Sequence, residues 1–363
     1  MGLQQKTGEL QMKYLQILRF AVAIFVWFFS SIAGAQLFGS APQLENLEQF
    51  NDGRLQFQSV RAVDWSKVVG EGRQFVNRAE KVWVPARLYL PKNTSAKVPA
   101  VVIEHGIGGL YYRDGRIRPY VEYAELLADA GVAALVVDTH GGRGIGAARQ
   151  LESSQVSVYT FIADVFAGAD MLRSHPKIDG DRIGVMGFSK GGSTALLAVD
   201  KRFVDAFSKK RDPFAFHLGV YPGCQTFPEN LRSTGAPVYF LLGEKDNYTG
   251  TSGCYEIEKK LKSAGNPTRI TVYPGAFHSW DEDSKPFRVE DVSTADCRWV
   301  LKDGGGVWGG GMTKPIGSFI EGEAYFRGCV KRDEIYVGRV ESAYRAGRKD
   351  VVDIAISVLR SGK

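Results

Sequence analysis

The sequence predicts an α/β fold, with a mostly parallel sheet flanked by helices on both faces. Three observations predict it. Short, continuous apolar runs recur along the chain, and helical patterns separate them. Strands buried on both faces read as such unbroken runs, whereas a sheet with one wet face alternates apolar and polar residues. The chain has 363 residues, 44% hydrophobic and 24% charged, which is enough to bury a sizeable core and excludes a mostly disordered chain.

The elements follow in order. Val98 to Ile103 is a β-branched run ending at Glu104-His105-Gly106. Pro119 to Ala130 reads as a helix, with Val121, Ala124, Leu126, Leu127 and Ala130 on one face. Ala133 to Val137 is a second buried run, and Val156 to Leu172 is a longer amphipathic helix. Ile183 to Met186 is a third strand, followed at once by Gly187-Phe188-Ser189-Lys190-Gly191 and a helix through Val199. Leu218–Tyr221, Val238–Leu242 and Ile270–Tyr273 are further strands. Cys254–Ala264 and Val340–Leu359 are helices. Residues 36–85 read as a lead-in and 282–336 as a loop-rich excursion from a single domain spanning 36–363. The Gly304–Gly306 and Gly309–Gly311 triplets make that excursion read as flexible.

The N-terminus departs from this average. Lys13 and Arg19 precede an apolar run from Phe20 to Phe29, and Ala33-Gly34-Ala35 follows. A basic segment, a short apolar segment and an A-x-A site are the parts of a signal peptide, here residues 1–35, with Met12 an alternative start. The apolar stretch is shorter than the roughly 20 residues a spanning helix needs. The expectation is an exported protein, periplasmic or secreted, with no membrane span after cleavage. The alternatives are an uncleaved anchor or a buried helix. Four cysteines, Cys224, Cys254, Cys297 and Cys329, lack C-x-x-C metal spacing. Pairing Cys224 with Cys254 and Cys297 with Cys329 closes two loops of about 30 residues each, which fits an oxidising compartment. Four buried thiols are the alternative. The net charge of +6 comes from 46 basic residues interspersed with 40 acidic ones, without a basic run, so nucleic acid is not an expected partner.

Gly187-Phe188-Ser189-Lys190-Gly191 matches G-x-S-x-G, and its place between a strand and a helix is that of a nucleophile elbow. Such a turn lifts the serine Oγ above the sheet at a helix N-terminus, where the backbone favours developing negative charge. A plain structural turn is the alternative. In this arrangement the acid and then the base follow the nucleophile in the chain. Of five histidines, His105, His140 and His175 precede Ser189 and His217 opens a strand, which leaves His278 in the loop after Ile270–Tyr273. Asp246, in the loop after Val238–Leu242, is the expected acid, with Glu244 second. An oxyanion hole needs two backbone N–H donors. Lys190 should supply one and the glycine-rich loop after Ile103 the other, Ile107 first and Gly106 next. Arg143 could bind a substrate carboxylate or pair with a surface acid. Tyr111, Tyr112 and Arg113 are candidates for the entrance, and Phe277, Ser279 and Trp280 for a pocket wall. Gly142-Arg143-Gly144-Ile145-Gly146 lacks dinucleotide spacing, no Walker A loop occurs, and no metal or other cofactor is expected.

The stretch from His175 through Gly192, with Gly187-Phe188-Ser189-Lys190-Gly191-Gly192 at its end, resembles the nucleophile block of the dienelactone hydrolase family of α/β-hydrolases. The Gly243–Asp246 and Gly275–His278 loops match as well. The resemblance spans roughly residues 85–281 and the last helix, and implies the α/β-hydrolase fold. The name-giving members use a cysteine nucleophile. Ser189 stands there in this chain, as in the serine members with broader esterase activity. The implied activity is hydrolysis of a small-molecule carboxylic ester or lactone through an acyl-enzyme. The rival readings are a peptidase of the prolyl-oligopeptidase type and a non-catalytic binding protein on the same fold.

Overall fold

In a computed structural model, residues 41–61, 64–92, 95–145, 156–211, 213–316 and 319–360 are described. The expected signal peptide, residues 1–35, lies outside them. The elements run in chain order as β1 (Gln43–Leu44), β2 (Gly53–Val60), α1 (Trp65–Glu71), α2 (Arg73–Arg78), β3 (Lys81–Tyr89) and β4 (Val98–Glu104). There follow α3 (Tyr120–Asp129), β5 (Ala133–Val137), α4 (Val158–Ser174), β6 (Ile178–Phe188), α5 (Lys190–Leu197), α6 (Lys201–Phe207), β7 (His217–Val220) and β8 (Thr226–Pro228). The chain continues through β9 (Val238–Gly243), α7 (Ser252–Ser263), β10 (Thr268–Tyr273), β11 (Phe287–Val289), β12 (Trp299–Leu301), β13 (Val307–Gly309), α8 (Phe319–Cys329), β14 (Ile335–Val337) and α9 (Glu341–Arg360).

Nine strands form one sheet in the order β1-β2-β3-β5-β4-β6-β7-β9-β10. From β5 to β10 every pairing is parallel, and β2 with β3 and β3 with β5 are antiparallel. The all-apolar runs predicted as strands occupy the centre, and β4 and β5 are buried along their whole length. Helices α1, α4, α5, α6 and α7 bury their apolar residues against one face, and α3 and α9 against the other. Crossover helices on both sides are what leave the parallel strands no wet face.

Two parts of the chain differ from the sequence expectation. The lead-in adds β1, β2 and β3 to one edge of the central sheet. Its signal was a period of two: Leu55 and Phe57 are buried while Gln56 and Gln58 face outward. The described residues of the 282–336 excursion form strands and a helix where a flexible loop was expected. It contributes β11 to a pair with β14, and β12 and β13 to a three-stranded sheet with β8. Its glycines serve tight geometry. Gly305, at φ +86°, closes the turn between β12 and β13 and lies so close to Ser66 that a Cβ would stand 3.2 Å from its Cα. A Cβ on Gly309 would lie 2.4 Å from the Tyr325 ring. The Tyr325 hydroxyl in turn accepts the N–H groups of Arg298 and Gly310, each at 2.9 Å. The indole of Trp65 donates to the Lys302 carbonyl at 2.8 Å, tying this sheet to α1. Disulfides join Cys224 to Cys254 and Cys297 to Cys329.

Candidate active site

Ser189 sits between the C-terminal end of β6 and the first residue of α5. Its backbone is left-handed, at φ 52° and ψ −113°, which costs a non-glycine residue free energy and needs close support. The support is the packing of its flanking glycines. A Cβ on Gly187 would meet the Gly191 backbone at 2.3 Å, and one on Gly191 would meet the Glu104 carbonyl at 2.4 Å. The G-x-S-x-G spacing is therefore a steric requirement of this turn. The Ser189 N–H donates to the Val220 carbonyl at 2.9 Å, fixing the turn to β7.

The loops after β9 and β10 bring two more side chains to Ser189. His278 Nε2 lies 3.0 Å from the Ser189 Oγ, and His278 Nδ1 lies 2.7 Å from Asp246 Oδ2. Asp246 also accepts the N–H groups of Tyr248 and Thr249, at 3.1 and 3.0 Å, and the Thr249 hydroxyl at 3.0 Å. Burial pushes the Asp246 carboxyl up, but the His278 ring and the Thr249 donors outweigh it and hold the carboxyl below the usual range. Glu244, the second candidate, is exposed and accepts the Gly275 N–H at 2.7 Å, outside this line. The Tyr221 and Tyr248 rings pack edge to face with His278, with centroids 5.0 and 5.2 Å away.

The other four histidines have structural partners. His175 bonds the Phe50 carbonyl at 2.8 Å and His217 the Ala195 carbonyl at 2.8 Å. His105 and His140 lie edge to face at 4.7 Å under the glycine-rich loop. Burial pushes the His105 imidazole down to about 3 and His140 still lower, so both are neutral. Among the described residues, no cluster of His, Cys, Asp and Glu is arranged to hold a metal ion.

A cleft of about 620 Å³ opens over Ser189 and His278. The loop after β4 supplies Gly106, Ile107 and Gly108 to its wall. Gly106 approaches so closely that a Cβ there would stand 3.3 Å from Ser189 Cβ and 3.3 Å from the Tyr120 hydroxyl. Lys190 opens α5, so its N–H has no carbonyl partner within the helix. Its side chain is half-buried, bonds the Val156 carbonyl and lies over the Phe161 ring, and desolvation lowers the ammonium to about 8.

Four expected contacts, Arg143, Tyr111, Trp280 and Phe277, do not line the cleft. Arg143 is held by Asp164 through two bonds, at 2.7 and 3.0 Å, and donates to the carbonyls of Thr139 and Val60. Its guanidinium is thus committed to a buried ion pair. Tyr111 bridges Ile117 in a narrow hairpin, so its side chain and that of Tyr112 leave on opposite sides. Tyr112 and Arg113 line the cleft and Tyr111 packs against the core beside α3. Trp280 is fully buried against Tyr273, Tyr221 and Gly347, where a Cβ would meet its ring at 2.2 Å. Phe277 packs on Tyr336 in a tilted pair, with ring centroids 5.6 Å apart, while Ser279 reaches the cleft. Sequence reasoning missed Arg118, Tyr120, Tyr248, Glu282 and Phe287 of the cleft wall. Glu282 is paired with Arg118 and accepts the Tyr112 hydroxyl, a union of residues far apart in the chain that no local pattern announces.

A serine elbow after β6 of a central, mostly parallel sheet, with the loops after β9 and β10 bringing Asp246 and His278 to it, is the arrangement of an α/β-hydrolase fold. A family model described as the dienelactone hydrolase family matches residues 84–301. The chain belongs to that family and is a hydrolase of the ester and lactone type. It is 26% identical over 201 residues to a probable 2-oxo-3-(5-oxofuran-2-ylidene)propanoate lactonase from Bradyrhizobium sp, covering 52% of this chain and 75% of that protein. Solved structures similar to it include a dienelactone hydrolase-like promiscuous phosphotriesterase from metagenomic libraries. That match is 14% identical at TM-score 0.49, over 84% of this chain and 99% of that one. Another is esterase 2 of Thermogutta terrifontis, 18% identical at TM-score 0.44, over 56% of this chain and 82% of that one.

Proposed function

We propose that the protein is an exported serine hydrolase that cleaves a small-molecule carboxylic ester or lactone through an acyl-enzyme. The observation that carries this reading is the continuous line from Ser189 Oγ to His278 Nε2, at 3.0 Å, and from His278 Nδ1 to Asp246, at 2.7 Å, on the floor of an open cleft. His278 takes the hydroxyl proton as Ser189 Oγ attacks the carbonyl carbon. The tetrahedral oxyanion is held by the N–H groups of Lys190 and of Ile107 or Gly106. The intermediate collapses as His278 gives its proton to the departing alkoxide, leaving an ester on Ser189. Water then attacks, His278 accepts its proton, and the acid leaves as Ser189 Oγ is reprotonated. Asp246 holds the His278 tautomer and stabilises the imidazolium. In a lactone the departing alkoxide stays tethered to the acyl group.

Two disulfides support an oxidising location, since such bonds persist outside the cytosol. No helix among the described residues is long and apolar enough to cross a membrane. The test is covalent labelling with a serine-directed phosphonate, followed by peptide mapping. One adduct on Ser189, and a fall in p-nitrophenyl acetate turnover of about 10³-fold or more in Ser189→Ala, is the expected outcome. A label elsewhere, or none, overturns the mechanism. Faster turnover of aminoacyl nitroanilides than of the ester would point to a peptidase.

A further inference from the structure

Behind His278 lies a buried carboxylate that the mechanism above does not use. Asp281 is three residues past the histidine and 1% exposed. It accepts the Tyr221 hydroxyl at 2.6 Å and the Tyr123 hydroxyl at 2.9 Å. Burying a carboxylate is costly unless its oxygens are satisfied, and two phenols at short range satisfy them. Tyr221 is itself unusual. It follows β7 with φ 36°, a conformation that only firm surroundings maintain in a non-glycine residue. Its N–H donates to the Leu241 carbonyl at 2.8 Å, so its backbone is bound to β9, the strand that carries the acid loop. Its ring is fully buried and packs edge to face with the His278 ring at 64°, with 5.0 Å between centroids.

These contacts close a loop of constraints around the imidazole. Asp246 fixes Nδ1 by a hydrogen bond, which leaves the ring free to tilt about that bond. Tyr221 blocks one tilt and Tyr248 another. A tyrosine ring blocks only if it cannot swing, and the Tyr221 hydroxyl is pinned by a carboxylate from the same loop as His278. Ser279, between them, also has a positive φ of 54°, so the loop is held in a bent form from both ends.

We propose that Asp281 is a positioning residue, acting through Tyr221 to keep the His278 ring aimed at Ser189. This rests on the reading of Ser189 and His278 as nucleophile and base. The test uses the full chain and three variants, Tyr221→Phe, Asp281→Asn and the double variant, with thermal melting to establish that each folds. Tyr221→Phe keeps the ring and removes only the tether, so it is the variant least prone to unfold. In each single variant kcat and the rate of Ser189 labelling by phosphonate should fall about tenfold, with KM within twofold of the parent. The double variant should be no slower than the slower single, because the two act as one unit. Unchanged kcat in folded Tyr221→Phe, a change confined to KM, or multiplicative losses in the double variant would overturn the proposal. Absence of labelling in the parent would instead overturn the reading of Ser189, so the two failures are distinguishable.

Discussion

At the residue scale the carboxylates around His278 sit in opposite electrostatic states. Asp246 is held below the usual range by donors. Asp281 is pushed up to about 7, by burial first and then by the neighbouring Glu282 charge, against the opposing Tyr221 and Tyr123 donors. The ordinary value of 3.8 applies to Asp281 once the chain unfolds. Between about pH 4 and 7 the folded chain thus holds a proton that the unfolded chain has released. Stability from this group is complete below that window and is lost as pH rises through it. Asp281→Asn removes that slope. Melting temperatures at pH 5 and pH 8 should move in favour of the variant as pH rises, by an amount equivalent to a few kcal/mol. A constant difference between variant and parent would contradict this. Asp246→Asn should act on chemistry instead, lowering kcat about 10³- to 10⁴-fold with little change in KM, as steady-state kinetics would report.

At the element scale, the legible parts of the site are those set by one strand and its following loop. Ser189 on the β6 elbow, Asp246 after β9 and His278 after β10 each follow from a local pattern and from the order of those patterns. The cleft wall was hidden because it depends on pairings across the chain. Arg143 seemed available in sequence, yet Asp164 on α4 holds it, and the neighbours Tyr111 and Tyr112 part company because of a bridge to Ile117. Three consecutive carboxylates after the base loop reach three places. Asp281 bonds Tyr221 and Tyr123, Glu282 bonds Arg118 and Tyr112, and Asp283 pairs with Arg116 at 3.2 Å. The outer wall comes from the β11–β14 pair, where Phe287, Val289 and Val337 face the cleft. Phe287 is 47% exposed, and an exposed aromatic at a cleft mouth is a contact waiting for an apolar group. Phe287→Ala should raise KM for p-nitrophenyl hexanoate several-fold and leave acetate nearly unchanged. Equal effects on both esters would remove Phe287 from substrate recognition.

At the scale of the whole molecule, the alternation of buried runs and helices was enough to read the central sheet. It was silent about what the two additions do, because neither repeats the α/β pattern. One disulfide stitches the 282–336 addition, and the other braces the central fold. Cys224–Cys254 joins the loop after β7 to α7, and Cys297–Cys329 ties the segment just before β12 to the end of α8. Closing loops of this size is worth about 3–4 kcal/mol each in the chain-entropy account. Melting under reducing conditions should therefore occur well below the oxidised value, and the doubly substituted Cys224→Ser/Cys254→Ser should lose less than full reduction does. An unchanged melting point on reduction would contradict the bracing role of both bonds.

The hydrogen bond from Trp65 to Lys302 spans 237 positions of chain. Around it Arg202 stacks on the Trp65 ring at 4.9 Å and pairs with Asp303, so one buried tryptophan gathers three distant stretches. At a synthesis rate of about 5–20 residues per second, roughly 10–50 s separate the emergence of Trp65 from that of its acceptor. During that interval α1 lacks its final cover. A nascent chain of this design closes late, with α1 waiting for a turn made more than 200 residues further on.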